Sequence, residues 1–301
     1  MSDPSGILLV DKPGGMTSHD VVARARRALD TRKVGHAGTL DPMATGLLVL
    51  GVGASTRLLT FIVGLDKTYE ATIRLGVSTA TDDAEGEVTA VASAQAVTDA
   101  EIRVGIDALT GTIDQVPSAV SAIKVDGRRA YDRVRAGEQV ELAARTVTVS
   151  RFEVQHARRG ATDADGAPIA VIDLDVVVDC SSGTYIRALA RDLGASLGVG
   201  GHLTALRRTR IGPFLVADGA GLDDITDARL LAPAAVATAV LGAVPVTGEE
   251  ARDLRHGKRI LGAADRLSSG TAAIDPDGRL VGILERRGND LKSAMNMAEG
   301  S

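Results

Sequence analysis

Gly35-His36-Ala37-Gly38-Thr39-Leu40-Asp41-Pro42-Met43-Ala44-Thr45-Gly46-Leu47-Leu48 sets one carboxylate on a glycine-bounded loop that runs into an apolar strand. Asp41 precedes proline, which biases its backbone to the extended region and away from helix. Gly35, Gly38 and Gly46 let the backbone approach a ligand closely. Residues 33–46 therefore read as loop, and the continuous apolar run 47–52 as a central strand. Upstream, 6–11 is a short apolar strand, and Asp11-Lys12-Pro13-Gly14-Gly15 forces a turn in the chain. Thr17 or Ser18 caps a helix over 19–29, with Val21, Val22, Ala25, Ala28 and Leu29 at helical spacing.

Downstream, 55–63 reads as a second helix. Residues 68–75 alternate, with Tyr69, Ala71, Ile73 and Leu75 on one row and Thr68, Glu70, Thr72 and Arg74 on the other. Tyr69 thus sits on the inward row at the start of its strand. Residues 98–109 read as an amphipathic helix. The segment 115–137 is basic, with helical spacing at 130–136. Residues 155–168, rich in Gly and Asp, read as a flexible surface hairpin, and 169–180 as a long strand. A helix over 184–197 buries Ile186, Leu189, Ala190 and Leu193, and leaves Arg187 and Arg191 one turn apart on its remaining face. The apolar stretch 230–246 reads as a buried helix. It falls short of the ~20 residues a membrane span needs. Thr247-Gly248-Glu249-Glu250 matches a capping box, Gly257 ends that helix, and short strands follow around Pro276-Asp277-Gly278. This tail reads as an appended β-rich module.

A chain of 301 residues with 45% hydrophobic and 24% charged residues is an ordinary globular protein with room for a sizeable core. Aromatic residues make up only 2%, which argues against a platform that stacks many bases. A lone cysteine, Cys180, excludes a disulfide framework and a multi-Cys zinc site, and points to a reducing compartment. No signal peptide is visible at the N-terminus. The net charge of −5 argues mildly against a nucleic-acid partner. The basic residues are clumped, however, at 24–33, 124–135, 207–210, 252–259 and 286–287, which points towards a polyanion. There is no phosphate-binding Gly-x-x-x-x-Gly-Lys loop, nucleophile elbow, His-Glu-x-x-His or Cys-x-x-Cys. The five histidines lack metal-ligand spacing, and Asp82/Asp83/Glu85 reads as an acidic turn rather than a cation loop. The chemistry left is that of carboxylates, Arg and Tyr, with no required cofactor or metal.

The Asp41 block is one of seven that coincide, in order, with a known family. That block runs from Lys33 to Pro42, and the others are Gly6-Ile-Leu-Leu-Val-Asp-Lys-Pro13, Thr17-Ser18, Lys67-Thr68-Tyr69, Ser121-Ala-Ile-Lys124-Val-Asp-Gly-Arg128-Arg-Ala-Tyr131, Cys180-Ser-Ser-Gly-Thr184-Tyr185-Ile-Arg187 and Gly201-His202-Leu-Thr-Ala-Leu206-Arg207-Arg208. Over residues 6–240 the chain closely resembles the bacterial TruB family of tRNA pseudouridine synthases. One departure is Pro117-Ser118-Ala119-Val120, with Ser and Val where many relatives carry proline and tyrosine. From about Val246 the tail resembles a PUA-type RNA-binding module.

The resemblance implies an α+β fold: a large mixed, mainly antiparallel sheet flanked by helices, plus the small C-terminal module. It implies a catalytic domain over 1–240, with an RNA-contacting insert at 115–140, and a PUA-like module over 245–301. It implies isomerisation of uridine 55 in the tRNA T-loop, after the base is flipped out at a cost of a few kcal/mol. The C1′–N1 bond breaks, the uracil turns, and C5 bonds C1′, without net redox change or hydrolysis. By match, Asp41 is the catalytic aspartate, whether it attacks C1′ or C6 or removes the 2′ proton. Arg187 lies near it and favours its ionised form. Tyr69 stacks on the uracil and accepts or relays the C5 proton. His36 fills the space the base vacates, and Tyr185 and Leu206 line the substrate pocket. Lys12 belongs to the substrate-binding set as a loop support rather than a reactant. Arg128, Arg129, Arg207 and Arg208 neutralise phosphates. The implied partner is the T-arm of tRNA, met by a cytoplasmic monomer with no membrane or protein partner. Two alternatives stand beside this: a tRNA-folding chaperone, and a nucleoside glycosidase, which would need a second acid and a positioned water near Asp41.

Overall fold

The computed structural model describes residues 4–118, 124–125, 128–129, 142–164 and 167–297, with no side-chain description at 124, 125, 128, 129 and 164. The expected helix at 130–136 and the departure at Val120 lie outside the described residues, whereas the other departure, Ser118, is described and buried. Within them the chain forms two compact units, Met1–Leu65 with Arg210–Ser301, and Asp66–Thr209.

In the first unit, strand Gly6–Lys12 pairs antiparallel with Thr45–Val52, Gly6 opposite Val52 and Lys12 opposite Gly46. A short strand, Val34–Ala37, lies on the other edge of Thr45–Val52, so part of the expected loop is ladder. Its two polar or glycine residues mask any alternation. Helix Ser18–Ala28 starts at Thr17, whose side chain accepts from the Asp20 N–H while Asp20 caps back. It buries Val21, Val22 and Ala25 on Leu8, Val10, Leu48, Leu50 and Val52. The intervening Ile7, Leu9, Leu47 and Val49 fill a second core on the opposite face. Burial on both faces is why these strands read as unbroken apolar runs. Residues 53–62 are a 3-10 turn passing into a single α turn, Leu59–Ile62, rather than one helix.

The stretch 230–246 divides into a helix, Pro233–Leu241, and a strand, Ala243–Pro245. That strand joins a four-stranded sheet with Ala272–Ile274, Leu280–Arg287 and Asp290–Asn296, its first pair parallel and the others antiparallel. Helix Gly248–Arg255 carries the predicted capping box of Thr247 and Glu250. This tail has its own small core around Val246, Leu254, Val281 and Leu291. Its other face is not self-contained: Leu280, Ile283, Met295 and Met297 share the core of Ile7, Leu47 and Val49.

In the second unit a sheet runs in the order Gly201–Ile211, Lys67–Leu75, Ala167–Cys180, Arg145–Ala164, Gly111–Gln115. The row Tyr69, Ala71, Ile73 and Leu75 is buried as its alternation predicts. Residues 155–168 form the expected surface hairpin, but with laddered arms in place of a flexible loop. Arg145–Ala164 is one continuous strand that pairs with Ala167–Cys180 to the tip. Its outer half is polar on both faces, so no period shows in the sequence. Cross-strand charge pairs such as Arg158 with Asp175 and Arg151 with Asp179 (2.8 Å) run along the ladder.

Candidate active site

Asp41 lies half-buried in the loop between strands Val34–Ala37 and Thr45–Val52. Both of its chain neighbours are gripped through their backbones. The Ser18 hydroxyl accepts from the Leu40 N–H at 2.9 Å and donates to the Leu40 carbonyl at 3.2 Å. On the other side, the Pro42 carbonyl accepts from the Gly15 N–H at 2.8 Å and from the Lys12 ammonium at 3.2 Å. Lys12 is 0% exposed and also donates to the Met16 and Pro13 carbonyls, at 2.7 and 2.9 Å. These bonds tie Lys12 to the loop backbone on both sides of Asp41. The Ala44 N–H closes the turn onto the Asp41 carbonyl at 3.1 Å. Gly38 and Gly46 bracket the loop at φ +82° and +99°, a region costly for any residue with a Cβ. His36 sits on strand Val34–Ala37, its ring edge-on to His19 with centroids 5.5 Å apart.

In the second unit, Tyr69 is 7% exposed and faces Val178 across the ladder. Leu206 is buried on strand Gly201–Ile211. Arg207, on the alternate row, is half-buried. Arg208 is 1% exposed, which corrects the expectation that it meets phosphates: a contact with a solvated backbone needs an exposed guanidinium. It lies instead close enough to Lys67 to act on its charge. Burial first, and then the Arg208 charge, pull the Lys67 ammonium down to about 8. Cys180, opposite Lys67, is buried and its thiol is pushed up to about 11, which leaves it inert at neutral pH. His202 is buried, its Nδ1 donating to the Val77 carbonyl at 2.8 Å, and burial lowers its pKa.

Arg187 stands in the first turn of helix Ile186–Ser196. The sequence placed it on the helix face away from the apolar stripe, and there its side chain is 4% exposed. The acidic turn covers that face. Arg187 Nη1 donates to the Thr81 carbonyl at 2.8 Å and lies 3.4 Å from the equally buried Asp83 carboxylate. Asp83 in turn accepts from the Thr81 hydroxyl at 2.5 Å and the Glu85 N–H at 3.1 Å. Arg191 lies 3.4 Å from Asp82, whose carboxyl burial pushes above its ordinary value. Just before the helix, Tyr185 is bound by Gln115. The amide oxygen accepts from the Tyr185 N–H at 2.8 Å, and the amide nitrogen donates to the Tyr185 carbonyl at 3.1 Å.

Asp41, His36 and Lys12 thus belong to the first unit, and Tyr69, Tyr185, Arg187 and Leu206 to the second. The side chains of Arg128 and Arg129 lie outside the description; their backbone forms a two-residue strand. The sequence gave no sign that Ser18, Gln115 and Asp83 act as supports. Each acts on residues far along the chain, and a buried Gln or Ser looks like any loop residue. Among the described residues no group of three His, Cys, Asp or Glu could hold a metal ion, and no helix is long and apolar enough to cross a membrane.

Known proteins resemble the chain over its whole length. The model of the TruB family pseudouridylate synthase N-terminal domain matches residues 26–186. That of the tRNA pseudouridylate synthase B C-terminal domain matches 187–244, and that of the tRNA pseudouridine synthase II C-terminal region 241–298. tRNA pseudouridine synthase B of Leifsonia xyli subsp. xyli is 57% identical over 298 residues, covering 97% of this chain and 96% of that protein. Its counterpart in Arthrobacter sp. (strain FB24) is 54% identical over 302 residues, covering 98% and 97%. Among solved structures, an H/ACA RNP bound to a substrate RNA containing 2′-deoxyuridine superposes with a TM-score of 0.67 at 22% identity, over 97% of this chain and 85% of that one. A Cbf5-Nop10-Gar1 complex gives 0.64 at 24%, over 98% and 79%. At these identities the two structures bear on the fold alone.

Proposed function

The chain belongs to the TruB family of pseudouridylate synthases, and from that premise we propose that Asp41 is its catalytic aspartate, acting on uridine 55 of the tRNA T-loop. The protein is an isomerase that converts uridine to pseudouridine in tRNA. The C1′–N1 bond breaks, uracil turns, and C5 bonds C1′; C5 gives up a proton and N1 gains one, so atoms and electrons balance. Every route wants one carboxylate held at a fixed distance from the sugar or ring. The observation that carries the reading is the backbone grip on Leu40 and Pro42, which fixes the chain on either side of Asp41. Positioning of this kind is worth several kcal/mol of barrier.

In this reading Arg187 supplies positive charge to the reacting centre. Tyr69 stacks on the uracil and handles the C5 proton. Tyr185 and Leu206 line the pocket, and His36 fills the space left by the flipped base. Lys12 serves through the loop it holds. Arg128, Arg129 and Arg207 neutralise phosphates of the T-arm. Residues 1–240 form the catalytic domain, with the insert at 115–140, and 245–301 an RNA-binding module. The enzyme works as a cytoplasmic monomer without cofactor or protein partner.

Incubating Asp41→Asn with a T-arm transcript and mapping the modified uridine tests this. Turnover should fall by at least about 10³-fold, at the upper range for removal of an acid or base, with tRNA affinity kept. Undiminished turnover overturns the assignment. Refolding of misfolded tRNA by Asp41→Asn would show that a chaperone role exists apart from isomerisation.

A further inference from the structure

We propose that Gln115 is a positioning residue for the isomerisation, acting through Tyr185 and Arg187. This rests on the assignment of those two residues to the site. Gln115 is 1% exposed and ends strand Gly111–Gln115, where it pairs with Arg145. Both ends of its side-chain amide go to the backbone of one residue, 70 positions away. The oxygen takes the Tyr185 N–H at 2.8 Å, and the nitrogen serves the Tyr185 carbonyl at 3.1 Å.

That double contact sits where it has the most leverage. Tyr185 is the N-cap of helix Ile186–Ser196, in extended backbone at φ −101°, ψ 107°, and no side chain of its own caps the helix. The Tyr185 carbonyl already accepts the helical bond from Leu189 N–H at 3.2 Å. The amide of Gln115 adds a second donor to that carbonyl and ties the N–H that the helix cannot use. It thereby sets the direction in which the tyrosine leaves the chain, and the rotation of the first helical turn two residues before Arg187. A second tie joins the same two segments: Arg191, one turn on, donates from Nη2 to the Val116 carbonyl at 2.7 Å. A planar amide can read an N–H and a C=O of one residue together only if its plane and reach match, which no shorter or apolar side chain supplies.

Removal of the amide should leave the pocket assembled but loosely aimed. For Gln115→Met, of similar length and without donor or acceptor, the single-turnover rate should fall about 10- to 100-fold, as for a misplacement of about 1 Å. The Kd for tRNA should stay within about twofold. Gln115→Glu gives the readout that a merely structural role would not move. The buried carboxyl is protonated at low pH, and then offers one O–H to the Tyr185 carbonyl and one carbonyl to its N–H, as the amide does. Its rate relative to the parent should climb severalfold as pH falls from about 8 to about 6, while that of Gln115→Met stays flat.

A parent-like rate in Gln115→Met overturns the proposal. So does a loss shared equally between rate and tRNA affinity, or a Gln115→Glu ratio that ignores pH. Arg187→Met is run alongside. If it keeps full activity, the site assignment itself fails; if it is dead while Gln115→Met is unimpaired, only the present inference does.

Discussion

Two buried cations, one in each unit, meet different surroundings. Lys12, in the first, donates to three backbone carbonyls within one short stretch of loop. Arg187, in the second, meets one carbonyl and a carboxylate, Asp83, that is itself out of water. The first arrangement spreads one charge over neutral dipoles that the loop brings along. It stiffens the backbone around Asp41. The second depends on an opposite charge from a separate turn. It is therefore stronger when whole and more damaging when halved, because removing either partner strands a charge in a poor solvent. The lesson is that the loop of Asp41 is aimed by its own neighbourhood, whereas Arg187 is aimed by distant segments.

The sharpest way to break this contrast is Asp83→Ala. It should cost about 3–5 kcal/mol in urea unfolding, the range for half of a buried ion pair, and a loss below 1 kcal/mol would remove the distinction. Lys12→Met comes next, at about 2–3 kcal/mol, since it leaves buried carbonyls without a donor. A larger loss than that of Asp83→Ala would invert the ranking. A third cation sharpens the picture through pH. The Lys67 ammonium sits at about 8 in the fold against 10.5 ordinarily. Between those values the unfolded chain binds the extra proton, so this contribution to stability rises with pH. Lys67→Met should flatten the curve by roughly 1 kcal/mol per pH unit between about pH 8 and 9. Parallel curves would refute a depressed lysine. The smallest effect is Ser18→Ala, at about 1 kcal/mol for one buried hydroxyl. Its turnover should nevertheless suffer more than its stability, read as a fall in kcat with unchanged KM.

Where the chain's own neighbours determine the outcome, the sequence was legible. The capping box at Thr247 and Glu250 stands as read, and Thr17 caps its helix with Asp20. The alternation of Tyr69, Ala71, Ile73 and Leu75 marks the buried row of its strand. The resemblance to the TruB family, carried by short contiguous blocks such as Lys67-Thr68-Tyr69, led to the α+β pseudouridine synthase fold and to tRNA pseudouridylation. The misreadings share one cause. The long strand Arg145–Ala164 looked like a loose hairpin because its partners, including Asp175 and Asp179, stand on another strand. Arg208 looked like a phosphate ligand because the spacing of residues on one element says nothing of what packs over it.

By itself the sequence determined the local punctuation of helices and strands, and the family. These depend on residue types within a few positions of one another, where propensity and steric preference act directly. Only the tertiary structure decided which charges leave water and which backbone groups are gripped: Asp83 against Arg187, Gln115 on Tyr185, Ser18 on Leu40. Such pairings join segments far apart in the chain, 70 residues for Gln115 and Tyr185, and their strength comes from burial, which exists only once the chain has closed around them.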